Sequence, residues 1–157
     1  MKVIKAKTAG FCFGVKRAVD TVYKQVDTKC GQIYTYGPII HNEEVIKDMR
    51  DKGVIVLRSE EDLDMISQGT VIIRSHGVEK RIYEKIEQKG LRIVDATCPF
   101  VKKIHNIVSE KSGEGFHIII IGNPEHPEVV GIKGWAKDNV TVIQSAEDAE
   151  CFTADRK

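Results

Sequence analysis

Long apolar runs are missing from this sequence. None approaches the roughly 20 residues that a membrane-spanning helix requires, which argues against an integral membrane protein. The first residues, Met1 to Thr8, carry Lys2, Lys5 and Lys7 in a strand-like alternation. They lack the apolar stretch and small-residue cleavage site of a secretory signal, so a cytoplasmic protein is expected. A basic run is also missing. The 24 Lys and Arg side chains meet 23 Asp and Glu, the net charge is +1, and the signs are interspersed. A nucleic-acid binder concentrates its basic charge, so neither nucleic acid nor a membrane surface is an evident partner. Any affinity for anions has to come from a local site rather than from the global field.

Cysteine is scarce and widely spaced: Cys12, Cys30, Cys98 and Cys151 make up the whole set. Close ligand pairs of the C-x-x-C or H-x-x-x-H kind are absent, and so is ferredoxin-style spacing. In a reducing compartment these are thiols, and cysteines in unusual settings point to metal or catalysis before a disulfide framework. There is no internal repeat and no low-complexity linker.

What is present is an alternation of short strand-like and helix-like segments across 157 residues. With 41% hydrophobic and 30% charged residues the chain can bury a real core, as one domain or two small ones. Strands are expected at Lys2 to Lys7, Ile33 to Tyr36, Val54 to Leu57, Thr70 to Arg74, Arg92 to Val94, Ile118 to Ile121 and Val140 to Ile143. The fully apolar run at Ile118 reads as a buried parallel strand. Between Val15 and Val26, apolar residues recur at helical spacing. Asn42 caps a second helix, Ser59 with Asp62 resembles a capping box, Pro99 suits a helix first turn, and Ser145 starts a last short helix. Glu79 to Lys89 is a helix ended by Gly90, and a less regular one spans Glu128 to Trp135. This is the rhythm of an α/β protein with mainly parallel sheet. The least arbitrary boundary lies near Thr97, giving a first α/β lobe over 1–97 and a partial second lobe over 98–157. Two strands make a poor sheet by themselves, so the second unit is expected to be completed from outside this sequence.

Five polar clusters stand where an expected strand gives way to an expected helix. They are Gly10-Phe11-Cys12-Phe13-Gly14, His41-Asn42, Ser75-His76-Gly77, Thr97-Cys98-Pro99 and His126-Pro127-Glu128. In parallel α/β sheets ligands bind outside the carboxyl ends of the strands, where helix N-termini offer free N–H groups. One cysteine in a tight turn is ordinarily a small buried residue. Two in equivalent settings, Cys12 and Cys98, favour a shared metal site, and a following helix stabilises a thiolate. His41, His76 and His126 suit either a metal or a phosphate. Asn42, Ser75 and Gly77 beside them supply the donors and backbone access of an anion site. Arg74 is adjacent, but strand alternation can turn it away. Glu128 reads either as an acid favourable to a helix start or as a proton donor in the pocket.

These clusters, in this order, resemble the 4-hydroxy-3-methylbut-2-enyl diphosphate reductases over essentially the whole chain. The matching residues are Gly10-Phe11-Cys12-Phe13-Gly14-Val15, His41-Asn42, Ser75-His76-Gly77-Val78, Asp95-Ala96-Thr97-Cys98-Pro99 and His126-Pro127-Glu128-Val129. The resemblance implies three α/β lobes, a trefoil, around a [4Fe-4S] cluster held by three cysteines. It implies Cys12 and Cys98 as two of the ligands, His41, His76 and His126 as holders of the diphosphate, and Glu128 as the acid delivering protons. The implied reaction is the reductive dehydration of the allylic diphosphate to isopentenyl and dimethylallyl diphosphates, in the methylerythritol phosphate route to isoprenoids. A ferredoxin- or flavodoxin-type protein is the implied electron donor. The family pattern runs on well past this length, so the chain is expected to be an N-terminal portion, incomplete and inactive alone. The third cysteine is not carried over to Cys151, which follows Glu147, Asp148 and Glu150 without a glycine loop. Two other readings stand beside this one: a non-catalytic anion-binding remnant, and a zinc protein using Cys12 and Cys98.

Overall fold

The structure is a computed structural model that describes residues 1–28 and 31–152; Cys30 lies outside the described residues. Helix α1 (Phe13–Thr28) opens the fold. It is followed by β1 (Ile33–Tyr36), α2 (Glu43–Asp51), β2 (Val54–Leu57), α3 (Glu60–Asp64), β3 (Thr70–Ile73), α4 (Lys80–Gln88) and β4 (Arg92–Asp95). These strands form a four-stranded sheet in the order β2-β1-β3-β4, and every pairing is parallel. Helix α5 (Pro99–Gly113) leads to β5 (Ile118–Ile121), α6 (Pro127–Lys133), β6 (Val140–Ile143) and α7 (Ala146–Cys151). Strands β5 and β6 pair in parallel as a second sheet. The protein is therefore α/β with parallel sheets.

The alternation of side chains along the strands divides the first core in two. Ile33, Val54 and Ile72 face α1 and α2, meeting Ala18, Val22 and Met49. Leu57, Val71 and Ile73 face the other way, onto Leu63, Ile82 and Ile86 of α3 and α4. Strand β3 is buried at every position because it is central and covered on both faces. The helix starts follow their local chemistry. Asn42 accepts the Val45 N–H, Ser59 accepts that of Asp62, and Ser145 with Asp148 forms a reciprocal capping box.

Two expectations fail. Lys2 to Lys7 is not a strand; no described strand pairs with it, and Val3 and Ile4 are 77% and 79% exposed. Alternation makes a strand only where a neighbouring strand accepts its hydrogen bonds, and this segment pairs with none of the six described strands. Ile118 to Ile121 does form a strand, but not a buried one. Ile119 and Ile121 are 48% and 84% exposed, because nothing among the described residues covers that face of the two-stranded sheet.

Among the described residues, no helix is long and apolar enough to cross a membrane.

Candidate functional site

The order β2-β1-β3-β4 has a consequence that the linear sequence does not display. From β1 the chain moves outward to β2, and from β3 it moves outward in the opposite direction to β4. Between β1 and β3 the loops part, leaving the crevice where parallel sheets bind ligands. His41 follows β1 and His76 follows β3, so both border that crevice. Their ring centroids are 4.9 Å apart. Ser75 stitches the two loops, its buried hydroxyl donating to the Ile39 carbonyl at 3.1 Å.

His126 reaches the same place from the second sheet. It caps α6, and its ring lies 6.3 Å from that of His76, edge to face. Helix α6 rests on the histidine loop at Gly131, which faces the backbone of His76 and Gly77. The Nδ1 of His126 accepts the Glu128 N–H at 3.2 Å. That leaves the neutral ring's proton on Nε2, the atom free to donate to a ligand. Glu128 sits half-buried in the first turn of α6, two residues on.

The two cysteines occupy matched positions. The Cys12 carbonyl accepts the Lys16 N–H and the Cys98 carbonyl accepts the Lys102 N–H, both at 2.9 Å, the first turns of α1 and α5. Each thiol therefore sits at a helix N-terminus. Gly14 lets the two loops meet: a Cβ there would lie 2.6 Å from Cys98 Sγ. Cys98 is tied to the histidine loop as well, its N–H donating to the Ser75 carbonyl at 2.9 Å. Among the described residues no three His, Cys, Asp or Glu side chains already converge as a metal site. The donor set suits a thiophilic group held in part here, two thiols from two helix starts, with further ligands from elsewhere. Cys151 stands apart, exposed at the end of α7.

Sequence reasoning missed the supports. Arg17 on α1 donates to the Thr97 carbonyl at 2.9 Å and to that of Asp95 at 3.4 Å, clamping the Cys12 helix to the Cys98 loop. The Asp95 carboxylate accepts the Thr97 N–H and the Lys102 ammonium, which hold it below the ordinary carboxylate range against the opposing effect of burial. His105 lies beneath the histidine loop, stacked on Trp135 with centroids 5.1 Å apart. Trp135 donates its indole N–H to the Val78 carbonyl at 2.9 Å, joining the two sheets. His105 was legible in one respect: Val101, His105, Val108 and Ser112 share the buried stripe of α5.

Two of these imidazoles are held neutral. Burial, with His41, Arg74 and His126 nearby, pushes His76 down to about 4. Burial likewise pushes His105 down to about 4. Such groups take up protons on unfolding between pH 6.5 and 4, so their contribution to stability is complete above 6.5 and is lost as pH falls toward 4. The urea midpoint followed by circular dichroism is expected to drop between about pH 7 and pH 5, above the range where carboxylates titrate. An unchanged midpoint would contradict the burial assigned to these rings.

The protein is a parallel α/β scaffold with three imidazoles gathered near its switch point and two thiols at helix starts, the end of such a sheet where ligands bind. The family model described as "LytB protein" matches residues 3–157, and the chain belongs to that family. It is 48% identical over 151 residues to the 4-hydroxy-3-methylbut-2-enyl diphosphate reductase of Caldanaerobacter subterraneus subsp. tengcongensis, covering 96% of this chain and 52% of that protein. It is 45% identical over 151 residues to the enzyme of the same name from Clostridioides difficile, covering 96% and 53%. The E-1-hydroxy-2-methyl-but-2-enyl-4-diphosphate reductase of Plasmodium falciparum superposes with a TM-score of 0.87 at 32% identity, over 94% of this chain and 46% of that one. A second solved (E)-4-hydroxy-3-methyl-but-2-enyl diphosphate reductase, described as the terminal enzyme of the non-mevalonate pathway, gives 0.78 at 39% identity, over 93% and 52%. The chain spans about half the length of the curated relatives it matches.

Proposed function

We propose that a protein carrying this sequence, extended to the length of its relatives, is a cytoplasmic 4-hydroxy-3-methylbut-2-enyl diphosphate reductase. Residues 1–97 then form one lobe and 98–157 part of a second. The observation that carries this reading is the meeting of His41, His76 and His126 from three separate loops, with centroids 4.9 and 6.3 Å apart along the chain of rings. Cys12 and Cys98 are the ligands this chain offers to a [4Fe-4S] cluster. When bound, that group supplies electrons and a Lewis-acidic iron to the allylic hydroxyl. Overall, two electrons and two protons enter, the allylic C–O bond breaks, water leaves, and the diphosphate is retained in the product.

The chain's own residues bind and orient. His76, neutral while the cradle is empty, meets phosphate oxygens with a ring N–H, and a bound diphosphate favours its protonated form. His126 donates through Nε2 because its Nδ1 is engaged by the Glu128 N–H. His41 completes the cradle from the β1 side. Glu128 delivers a proton to the bound substrate, and its place at a helix start keeps the carboxylate directed from a rigid element. Electrons arrive from a ferredoxin- or flavodoxin-type donor.

The test is iron and acid-labile sulfide after anaerobic reconstitution of the extended protein. Wild type is expected to bind both, and Cys98→Ser to lose most of them, since a hydroxyl is a poor ligand for iron beside sulfide. Equal iron and sulfide in the two proteins would remove Cys98 from the ligand set. Zinc without sulfide in the wild type would overturn the reading itself.

A further inference from the structure

A cavity of about 620 Å³ lies on the β1–β2 flank of the first sheet, lined by neither the three histidines nor the cysteines. Its walls carry four cations, Lys47 and Arg50 on α2, Arg58 after β2 and Arg74 after β3. Among the described residues, none of the four is paired with a carboxylate within ion-pair distance. Glu43 and Glu44 of the first turn of α2 also line the cavity, leaving a formal excess of positive charge.

Arg74 is the built element. Its Nε donates to the Gly77 carbonyl at 3.3 Å, which fixes the plane of the guanidinium. Its Nη1 lies against Gly37, where a Cβ would come within 2.5 Å, and Gly37 holds φ +73. Only glycine permits both that backbone and that approach. The guanidinium is half-buried, and burial makes its charged form less favourable. A partly desolvated charge without a counter-ion is costly, and an anion in the cavity relieves that cost.

We propose that this cavity is a second ligand site, for a phosphomonoester with a flat or apolar body of nucleoside monophosphate size. The planar guanidinium forks of Arg50, Arg58 and Arg74 suit bidentate contact with pairs of oxygens of a tetrahedral phosphate. Pro38, Ile46 and Val56 supply an apolar wall for the body. Glu43 and Glu44 accept hydroxyl donors and disfavour a bare polyanion. The volume lies within the range of small-molecule sites, about 300–1,000 Å³. The site contains none of the three histidines or the cysteines and does not rest on the reductase reading, although Arg74 is hydrogen-bonded to the histidine loop through Gly77.

The ¹⁵N-labelled 157-residue chain is titrated with AMP and, separately, with inorganic phosphate and inorganic pyrophosphate. AMP is expected to produce saturable shifts at the amides of Gly37, Val56 and Arg58, with tighter binding than inorganic phosphate. The double variant Arg50→Gln/Arg58→Gln should weaken AMP by about tenfold or more through lost charge-assisted contacts. Pyrophosphate-dependent shifts at His41 and His76 should persist in it. Both arginines are exposed, and a cooperative urea transition verifies that the variant is folded. The proposal fails if AMP gives no saturable shifts, if its shifts fall only on the histidine loops, if phosphate binds as tightly as AMP, or if the double variant binds AMP like wild type.

Discussion

Gly77→Ala is expected to destabilise the chain by about 2–5 kcal/mol, from a left-handed backbone together with overpacking. Gly77 sits at φ +71. A Cβ there would lie 2.5 Å from His105 Cε1 and 3.1 Å from Thr97 Cγ2. Neither neighbour yields easily. His105 is buried and stacked on Trp135, and the Thr97 hydroxyl is engaged with Tyr83. Gly90→Ala separates the two contributions, because Gly90 has φ +67 but nothing within 4 Å of an added Cβ. That variant is expected to show the backbone strain alone, about 1–2 kcal/mol. Urea denaturation of the two variants decides the matter. If Gly77→Ala costs no more than Gly90→Ala, the contact with His105 is not the constraint described. Adding His105→Ala should recover part of the loss in Gly77→Ala as a favourable coupling, because the two changes share one space. The same substitution lifts the His76 loop, so pyrophosphate binding should weaken with it.

In a protein extended to its relatives' length, Glu128→Gln is expected to lower turnover by about 10²–10⁴-fold, the range for a positioned general acid. Gln keeps the size of the side chain and its place in the first turn of α6, and the backbone N–H bonded to His126 is unchanged. Iron and sulfide content should therefore match wild type, and the substrate KM should move little. Those two controls matter because a merely structural Glu128 would shift stability or cluster content before it shifted kcat. Turnover within a few-fold of wild type would return Glu128 to the ordinary role of an acid at a helix start.

Much of the scaffold was open to reading because it is locally encoded. Asn42, Ser59 and Ser145 cap the helices assigned to them, and Pro99 opens α5. The period-2 and period-3.6 patterns locate six strands close to their true limits. Failures came where a segment depends on a partner. Lys2 to Lys7 has the pattern of a strand but pairs with none of the described strands, and Ile118 to Ile121 has the composition of a buried strand with one face exposed. Of the site, the five clusters could be recognised, but not that β1 and β3 are neighbours. Sequence order puts β2 between them, and only the sheet order brings His41 and His76 together. Arg17, His105 and Trp135 were passed over because their roles exist only across the fold, with partners 28 to 80 residues distant: Arg17 with Thr97 is the far case.

The stacking of Trp135 on His105 has an optical consequence. Trp135 is the chain's single tryptophan, and it lies where α5, α6 and the first sheet meet. Its fluorescence therefore reports this seam alone, undiluted by any other indole. Imidazole against indole is an environment in which ring protonation changes emission, so intensity tracks the charge of His105. Opening of the seam would register as a red shift of the same signal. One native chromophore thus reads both the docking of the two sheets and the floor beneath the His76 loop.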